Sequence, residues 1–272
     1  MTPNKKVIAS GISQEELNEQ RDYAQMVAAY LSARFSADRP SAFVRTFGCQ
    51  GNVADGETIK GLLESMGYAL TEDIDTADFI LYNTCAVREH AQDRVYGNVG
   101  ALKPLKESRP ELFIALCGCM MQQDHVVAKI KKSYPFVNLV FGTHVIHKLP
   151  ELVYRALCGG RRVYETTCSD SRIAEDLPVH RDSGFKAWLP VMYGCNNYCS
   201  YCVVPYVRGR ERSRDPERVL AQAAELVAAG YKEITLLGQN VNSFGNDLEG
   251  DYKFSRLLRD IYALDGGFII RF

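Results

Sequence analysis

Ala187-Trp188-Leu189-Pro190-Val191-Met192-Tyr193-Gly194-Cys195-Asn196-Asn197-Tyr198-Cys199-Ser200-Tyr201-Cys202 is an apolar run that turns, at Gly194, into a loop carrying three of the chain's nine cysteines. Read as a strand, Ala187–Tyr193 delivers that loop at its carboxyl end. Asp215-Pro216-Glu217 is then a strong helix start, with proline at the first helical position and an acid near the positive end of the dipole. That helix should run to Ala229 and stop at Gly230. A strand at Glu233–Leu237, a helix near Phe254–Leu264 and a last strand at Phe268–Phe272 follow. Strand, loop and helix repeated, with the reactive residues after the strands, is the beginning of a β/α barrel.

Three thiolates so closely spaced can all reach one soft metal centre, while a fourth ligand must come from elsewhere. Cys199-x-x-Cys202 also reads as half of a zinc site, but no second ligand pair follows it. The C-x-x-x-C-x-x-C run resembles the signature of the radical S-adenosylmethionine superfamily. The resemblance implies that Cys195, Cys199 and Cys202 hold a four-iron four-sulfur cluster whose remaining iron binds S-adenosyl-L-methionine, cleaved there to a 5'-deoxyadenosyl radical. It also implies cofactor contacts from Tyr201, Gly238 and Gln239.

The chain is 46% hydrophobic and 24% charged, as an ordinary globular protein of about two domains would be. No apolar stretch approaches the ~20 residues needed to cross a bilayer, and no secretory leader is visible, so a cytoplasmic protein is expected. Cysteines kept reduced there favour metal or catalytic roles over disulfides. A net charge of −1 gives no global attraction to nucleic acid, so any RNA contact must come from a local patch.

Ser13 and Glu16 form a capping-box pattern, and Ala24, Val27, Ala28, Leu31 and Phe35 recur at helical spacing, which predicts one amphipathic helix after a disordered start, ended by Arg39-Pro40. From Ser41 strand and helix alternate. Strands are expected at Ala42–Phe47, Phe79–Asn83, Leu112–Cys117, Val137–Phe141 and Arg162–Tyr164. Helices are expected at Ala54–Met66, Glu89–Leu105, Gln123–Lys132 and Val145–Leu157. This is the pattern of an α/β, doubly wound parallel sheet. Cys49, Cys85 and Cys119 each fall just after a different strand, on the edge where such sheets bind ligands, and should meet in space. Each could instead be a small buried residue at a strand end.

Thr46-Phe47-Gly48-Cys49-Gln50-Gly51-Asn52, Asn83-Thr84-Cys85-Ala86-Val87-Arg88-Glu89 and Cys117-Gly118-Cys119-Met120-Met121-Gln122 resemble the three cysteine motifs of the methylthiotransferase family of radical S-adenosylmethionine enzymes. Gly51 stands where the family usually has methionine. The resemblance implies an auxiliary four-iron four-sulfur cluster on Cys49, Cys85 and Cys119, hence two clusters in all. It further implies a tRNA substrate, an electron donor such as a flavodoxin or ferredoxin, and a sulfur source that the sequence does not identify. Cys117 lies in the apolar run Phe113–Leu116 and reads as core. Cys158 and Cys168 match no motif, and His144 and His147 read as packing or surface residues.

Ile234–Gly245 resembles the branch that adds a methylthio group at C2 of the N6-isopentenylated adenosine beside the anticodon. The alternatives are relatives acting on threonylcarbamoyl-adenosine or a ribosomal protein, or a non-catalytic iron–sulfur or zinc-binding module that docks RNA. Arg208, Arg210, Arg212 and Arg214 form a basic run where RNA phosphates could be held, or a solvated face. The organisation expected is a helical extension over 1–40, an auxiliary-cluster domain over 41–165, a linker over 166–183 and the start of a radical S-adenosylmethionine (β/α) partial barrel over 184–272. With about three barrel strands present, the resemblance covers the N-terminal part of a member.

Overall fold

The computed structural model describes residues 11–35, 39–87, 89–166 and 172–272, so Arg88, Cys168 and the start over 1–10 lie outside the described residues. The chain divides into two units. One takes in the described residues of Ser13–Asp170 and Asp176–His180, the other those of Met1–Ile12, Ser171–Glu175 and Arg181–Phe272.

The first unit is built on six parallel strands: β1 (Ser41–Thr46), β2 (Ala69–Leu70), β3 (Phe79–Thr84), β4 (Phe113–Gly118), β5 (Leu139–Phe141) and β6 (Val163–Glu165), ordered β2-β1-β3-β4-β5-β6. Strands buried on both faces read as continuous apolar runs, and every residue of β3 and β4 is buried. Alternate side chains separate the two faces. Phe79, Leu81, Phe113 and Ala115 point into a core shared with α1 (Gln14–Arg34), α2 (Gln50–Ser65) and α6 (Leu149–Gly159). Ile80, Tyr82, Ile114 and Leu116 point into a second core with α3 (Glu89–Ala101) and α5 (Asp124–Ser133). The sheet is therefore covered on both sides, as doubly wound folds are. The Ser13–Glu16 capping box forms, and α1 lays Ala24, Val27 and Leu31 against Ile59 and Leu63 as one of the covering layers.

Boundaries shift where proline intervenes. The helix expected over Glu89–Leu105 is two, because Pro104 starts a separate α4 (Lys103–Ser108). The one expected at Val145–Leu157 begins as a 3-10 turn, Thr143–Lys148, with Val145 at φ −117°, and becomes α-helical at Leu149-Pro150. Residues of the expected linker make defined contacts: His180 N–H donates to Glu57 O at 3.0 Å, and Ile12 N–H donates to Ile173 O at 2.9 Å.

The second unit holds β7 (Lys186–Pro190), β8 (Met192–Tyr193), α7 (Val204–Val207), β9 (Arg212–Ser213), α8 (Pro216–Ala228), β10 (Glu233–Leu237), α9 (Phe254–Tyr262) and β11 (Ile269–Arg271). Its parallel sheet runs β11-β10-β7, in register Ile234↔Ala187 and Ile234↔Ile270. The single strand expected over Ala187–Tyr193 is divided at Val191. Val191 N–H still donates to Leu237 O at 2.8 Å, after which the chain leaves β10 and Met192–Tyr193 pairs antiparallel with Ser213–Arg212 instead. Asp215 caps α8, its Oδ1 accepting from Glu217 N–H at 2.8 Å and Arg218 N–H at 3.2 Å. Replacing Asp215 with alanine is expected to cost about 1 kcal/mol in a urea titration of this unit. An unchanged midpoint would show that other contacts hold the helix start.

Candidate metal centres

The order β2-β1-β3 places a topological switch point between β1 and β3, because the chain leaves β1 in one direction along the sheet and returns on its other side. Open parallel sheets bind ligands outside the carboxyl ends of the strands at such a point. Cys49 follows β1 and precedes α2, Cys85 follows β3, and Cys119 follows β4 at the start of a 3-10 turn. The three do come together: the Cys85 thiol hydrogen-bonds with both Cys119 and Cys49. Cys85 and Cys119 are buried and Cys49 is half-buried. Ala86 N–H donates to Cys119 Sγ at 3.0 Å and Val87 N–H to Cys85 Sγ at 3.4 Å. The hydrogen bond with Cys119 pushes the Cys85 pKa up, against the opposite pull of Cys49, and burial adds to the rise. Gly48, at φ +110°, packs on this group so closely that a Cβ would lie 2.3 Å from Cys85 Cβ.

Among the described residues no group of three or more His, Cys, Asp or Glu side chains forms a site for a single metal ion. A closed zinc site wants four ligands gathered on one atom. Three thiols from three loops, two of them supported by backbone N–H donors, have the donor chemistry of a larger iron–sulfur centre with one open position.

The second triad lies on one loop whose base is closed by β8 and β9. Cys195 N–H donates to Gly209 O at 3.1 Å, and Asn196 and Glu211 exchange N–H donors for side-chain oxygens at 3.2 and 3.1 Å. Gly194 makes the turn possible, being at φ +73° where a Cβ would sit 2.0 Å from Arg210 O. Cys195 is buried, Cys202 half-buried and Cys199 exposed, with Cys202 N–H donating to Cys199 O at 2.9 Å. Tyr201 is 90% exposed. Gly238, after β10, lies beside Met192 of β8, where a Cβ would come within 2.6 Å of Met192 Cγ, and Gln239 is exposed. The structure thus places Gly238 against the strand that leads into the cysteine loop, while Tyr201 and Gln239 face solvent.

The basic run is divided by burial. Arg208, Arg212 and Arg214 are buried, and Arg210 alone of the four is exposed. Arg212 Nη2 donates to Arg208 O at 3.0 Å, and its guanidinium lies 6.0 Å from the Tyr193 ring centroid. Arg214 forks onto Glu175, with Nε at 3.0 and 2.9 Å from the two carboxylate oxygens, and donates to Pro190 O at 2.7 Å and Gln222 Oε1 at 2.9 Å. Arg212 and Arg214 thus brace the two ends of β9 from within, and of the four only Arg210 is left exposed. The pairing with Glu175 has no signal in sequence, nor does the bond of Ser213 Oγ to Asp247 Oδ1 at 2.6 Å that ties β9 to the loop before α9. His144 and His147 sit on the 3-10 turn before α6, His147 buried. Cys117 is core, as expected, and Cys158 is exposed.

Two families match this chain. The uncharacterized protein family UPF0004 covers residues 41–142 and the radical SAM superfamily residues 189–265. The tRNA-2-methylthio-N(6)-dimethylallyladenosine synthase of Thermoanaerobacter sp. (strain X514) is 47% identical over 261 residues, 96% of this chain and 55% of its own length. Proteins of the same name from Acetivibrio thermocellus and Clostridium tetani are each 51% identical, over 84% and 85% of this chain and 48% and 51% of theirs. The chain spans about half the length of the curated relatives it matches. Among solved structures, the radical S-adenosylmethionine methyltransferase TsrM from Kitasatospora setae is similar in fold, with a TM-score of 0.51 at 14% identity over 82% of this chain and 51% of that one. Among the described residues no helix is long and apolar enough to cross a membrane.

Proposed function

Because the chain carries a UPF0004 domain followed by a radical SAM domain, each with its own three-cysteine site, we propose that it is the N-terminal half of a tRNA methylthiotransferase. The substrate proposed is the N6-isopentenyladenosine beside the anticodon, methylthiolated at C2. The observation that carries this reading is the convergence of Cys49, Cys85 and Cys119 from three separate loops, since a radical enzyme without an auxiliary centre has no use for it. We assign the auxiliary centre to 41–165 and the radical centre to 184–272.

When bound, two four-iron four-sulfur clusters and S-adenosyl-L-methionine supply one-electron chemistry for a C–H bond with no acidic proton, and a place for the sulfur that is transferred. Cys195, Cys199 and Cys202 would hold one cluster and Cys49, Cys85 and Cys119 the other. The chain's own contribution is positional. Gly194 and the β8–β9 pair fix the radical-site loop, and the N–H groups of Ala86 and Val87 stabilise charge on the sulfurs they face. Gly238 lets the end of β10 pack closely on Met192 of β8, where a Cβ would clash. Phosphate contacts to tRNA fall to surfaces other than Arg208, Arg212 and Arg214. An electron donor such as a flavodoxin or ferredoxin, and a cytoplasmic setting, belong to the same proposal.

The test is mass spectrometry of nucleosides from isopentenylated tRNA after anaerobic reaction with S-adenosyl-L-methionine, a reductant and a sulfur donor. The protein with this chain is run beside the Clostridium tetani relative. A 2-methylthio product that requires all six cysteines is expected. Zinc at one equivalent per chain, with no iron, would instead support the RNA-docking module.

A further inference from the structure

Asn52 is fully buried, and so is Asn83. Neither is a ligand in the reading above, and a buried amide is costly unless its hydrogen bonds are made. The Asn52 amide nitrogen has two hydrogens, and both are used: one on Phe47 O at 2.9 Å, the other on Thr84 O at 2.8 Å. Phe47 follows β1 and Thr84 ends β3, so one side chain joins the two strand ends that flank the switch point. Asn83 closes the same junction from the other side, its Nδ2 donating to Asn52 O at 2.8 Å.

With both amide hydrogens on carbonyls, the orientation of the amide is fixed by its partners. Asn52 Oδ1 must then face the other way, and there it meets Cys49 Sγ at 3.9 Å and Cys119 Sγ at 4.0 Å. Three chain segments, carrying Cys49, Cys85 and Cys119, are thus referred to one rigid side chain.

We propose that Asn52 is the positioning residue of the three-thiol site, stapling the ends of β1 and β3 so that the thiols converge before any metal arrives. The proposal rests on the reading of Cys49, Cys85 and Cys119 as cluster ligands only for its second measurement. The first is made on the metal-free chain and stands apart from it.

Maleimide labelling with peptide mass mapping follows every cysteine at once. Cys158, exposed, reports the chemical rate, and Cys117, buried in β4, reports whether the sheet itself opens. Asn52→Leu fills the space but donates nothing, and Asn52→Ser keeps one small donor. In Asn52→Leu, Cys85 and Cys119 should label about tenfold faster, with Cys117 unchanged and Asn52→Ser intermediate. Wild-type rates at Cys85 and Cys119 in both variants would overturn the staple. So would Cys117 opening in step with them in both, since Asn52 would then support the whole sheet and not the site. If the Leu variant alone opens the sheet, the Ser variant decides by the same comparison.

For the second measurement, iron is loaded into the chain with Cys195, Cys199 and Cys202 replaced by alanine and challenged with a chelator. Loss from Asn52→Ser should be about 10–100-fold faster than from the Asn52 parent. Equal loss rates overturn the positioning role. A parent that binds no iron, with the labelling pattern as expected, would fault the cluster assignment and leave the staple standing.

Discussion

With Cys195, Cys199 and Cys202 all replaced by alanine, the anaerobically reconstituted chain is expected to keep about half of the iron bound by the unaltered chain. The two triads belong to separate units with separate cores. Leu189, Leu236 and Phe244 pack the second, and nothing in that cluster comes from the sheet that carries the first triad. Replacing the three loop thiols removes no residue from either core that flanks the sheet carrying Cys49, Cys85 and Cys119. Iron and sulfide analysis, together with the visible absorbance of the cluster, reads the result. Retention of nearly all the iron, or loss of nearly all of it, would refute two independent centres. The converse triple substitution should remove the other half; in a full-length version, on the function proposed above, it should eliminate methylthio product while sparing cleavage of S-adenosyl-L-methionine.

Replacing Arg214 with methionine is expected to destabilise the second unit by about 3–5 kcal/mol. The guanidinium is buried against Glu175, and methionine would leave a carboxylate in a low-dielectric setting with its principal partner gone. Pro190 O and Gln222 Oε1 would lose their donor as well. The chain has one tryptophan, Trp188 on β7, so fluorescence in urea follows this unit alone. Adding Glu175→Gln should recover part of the loss, because the uncompensated charge goes with it. A loss below about 1 kcal/mol would class the pair with exposed bridges.

The parallel sheet was legible because burial on both faces forces long apolar runs, and Phe79–Thr84 and Phe113–Gly118 are such runs. The cysteines were legible for a related reason: a residue that follows a strand lies on the ligand-binding edge wherever the strand ends up. What could not be read was anything set by a distant partner. Arg208, Arg212 and Arg214 look like a solvated charge run until Glu175 and the β8–β9 pairing bring them inside. Two-residue strands such as β2 and β9 carry too little periodicity to announce themselves. The role of Asn52 could not be read, because the carbonyl it binds at Thr84 is distant in sequence. Pro104 and Pro150 were visible, and the helix boundaries they mark were a legible signal that went unused.

The β8–β9 closure has a consequence for how the two centres come into being. A loop pinned at its own base by neighbours in sequence has a short path to its final shape, so the segment holding Cys195, Cys199 and Cys202 needs only local contacts. The other triad waits on pairings of β1 with β3 and of β3 with β4, each of high contact order and each requiring an intervening helix to be docked. On refolding, the loop segment is therefore expected to reach its final shape before the sheet ends do, so that iron offered early would find only one of the two proposed nests finished.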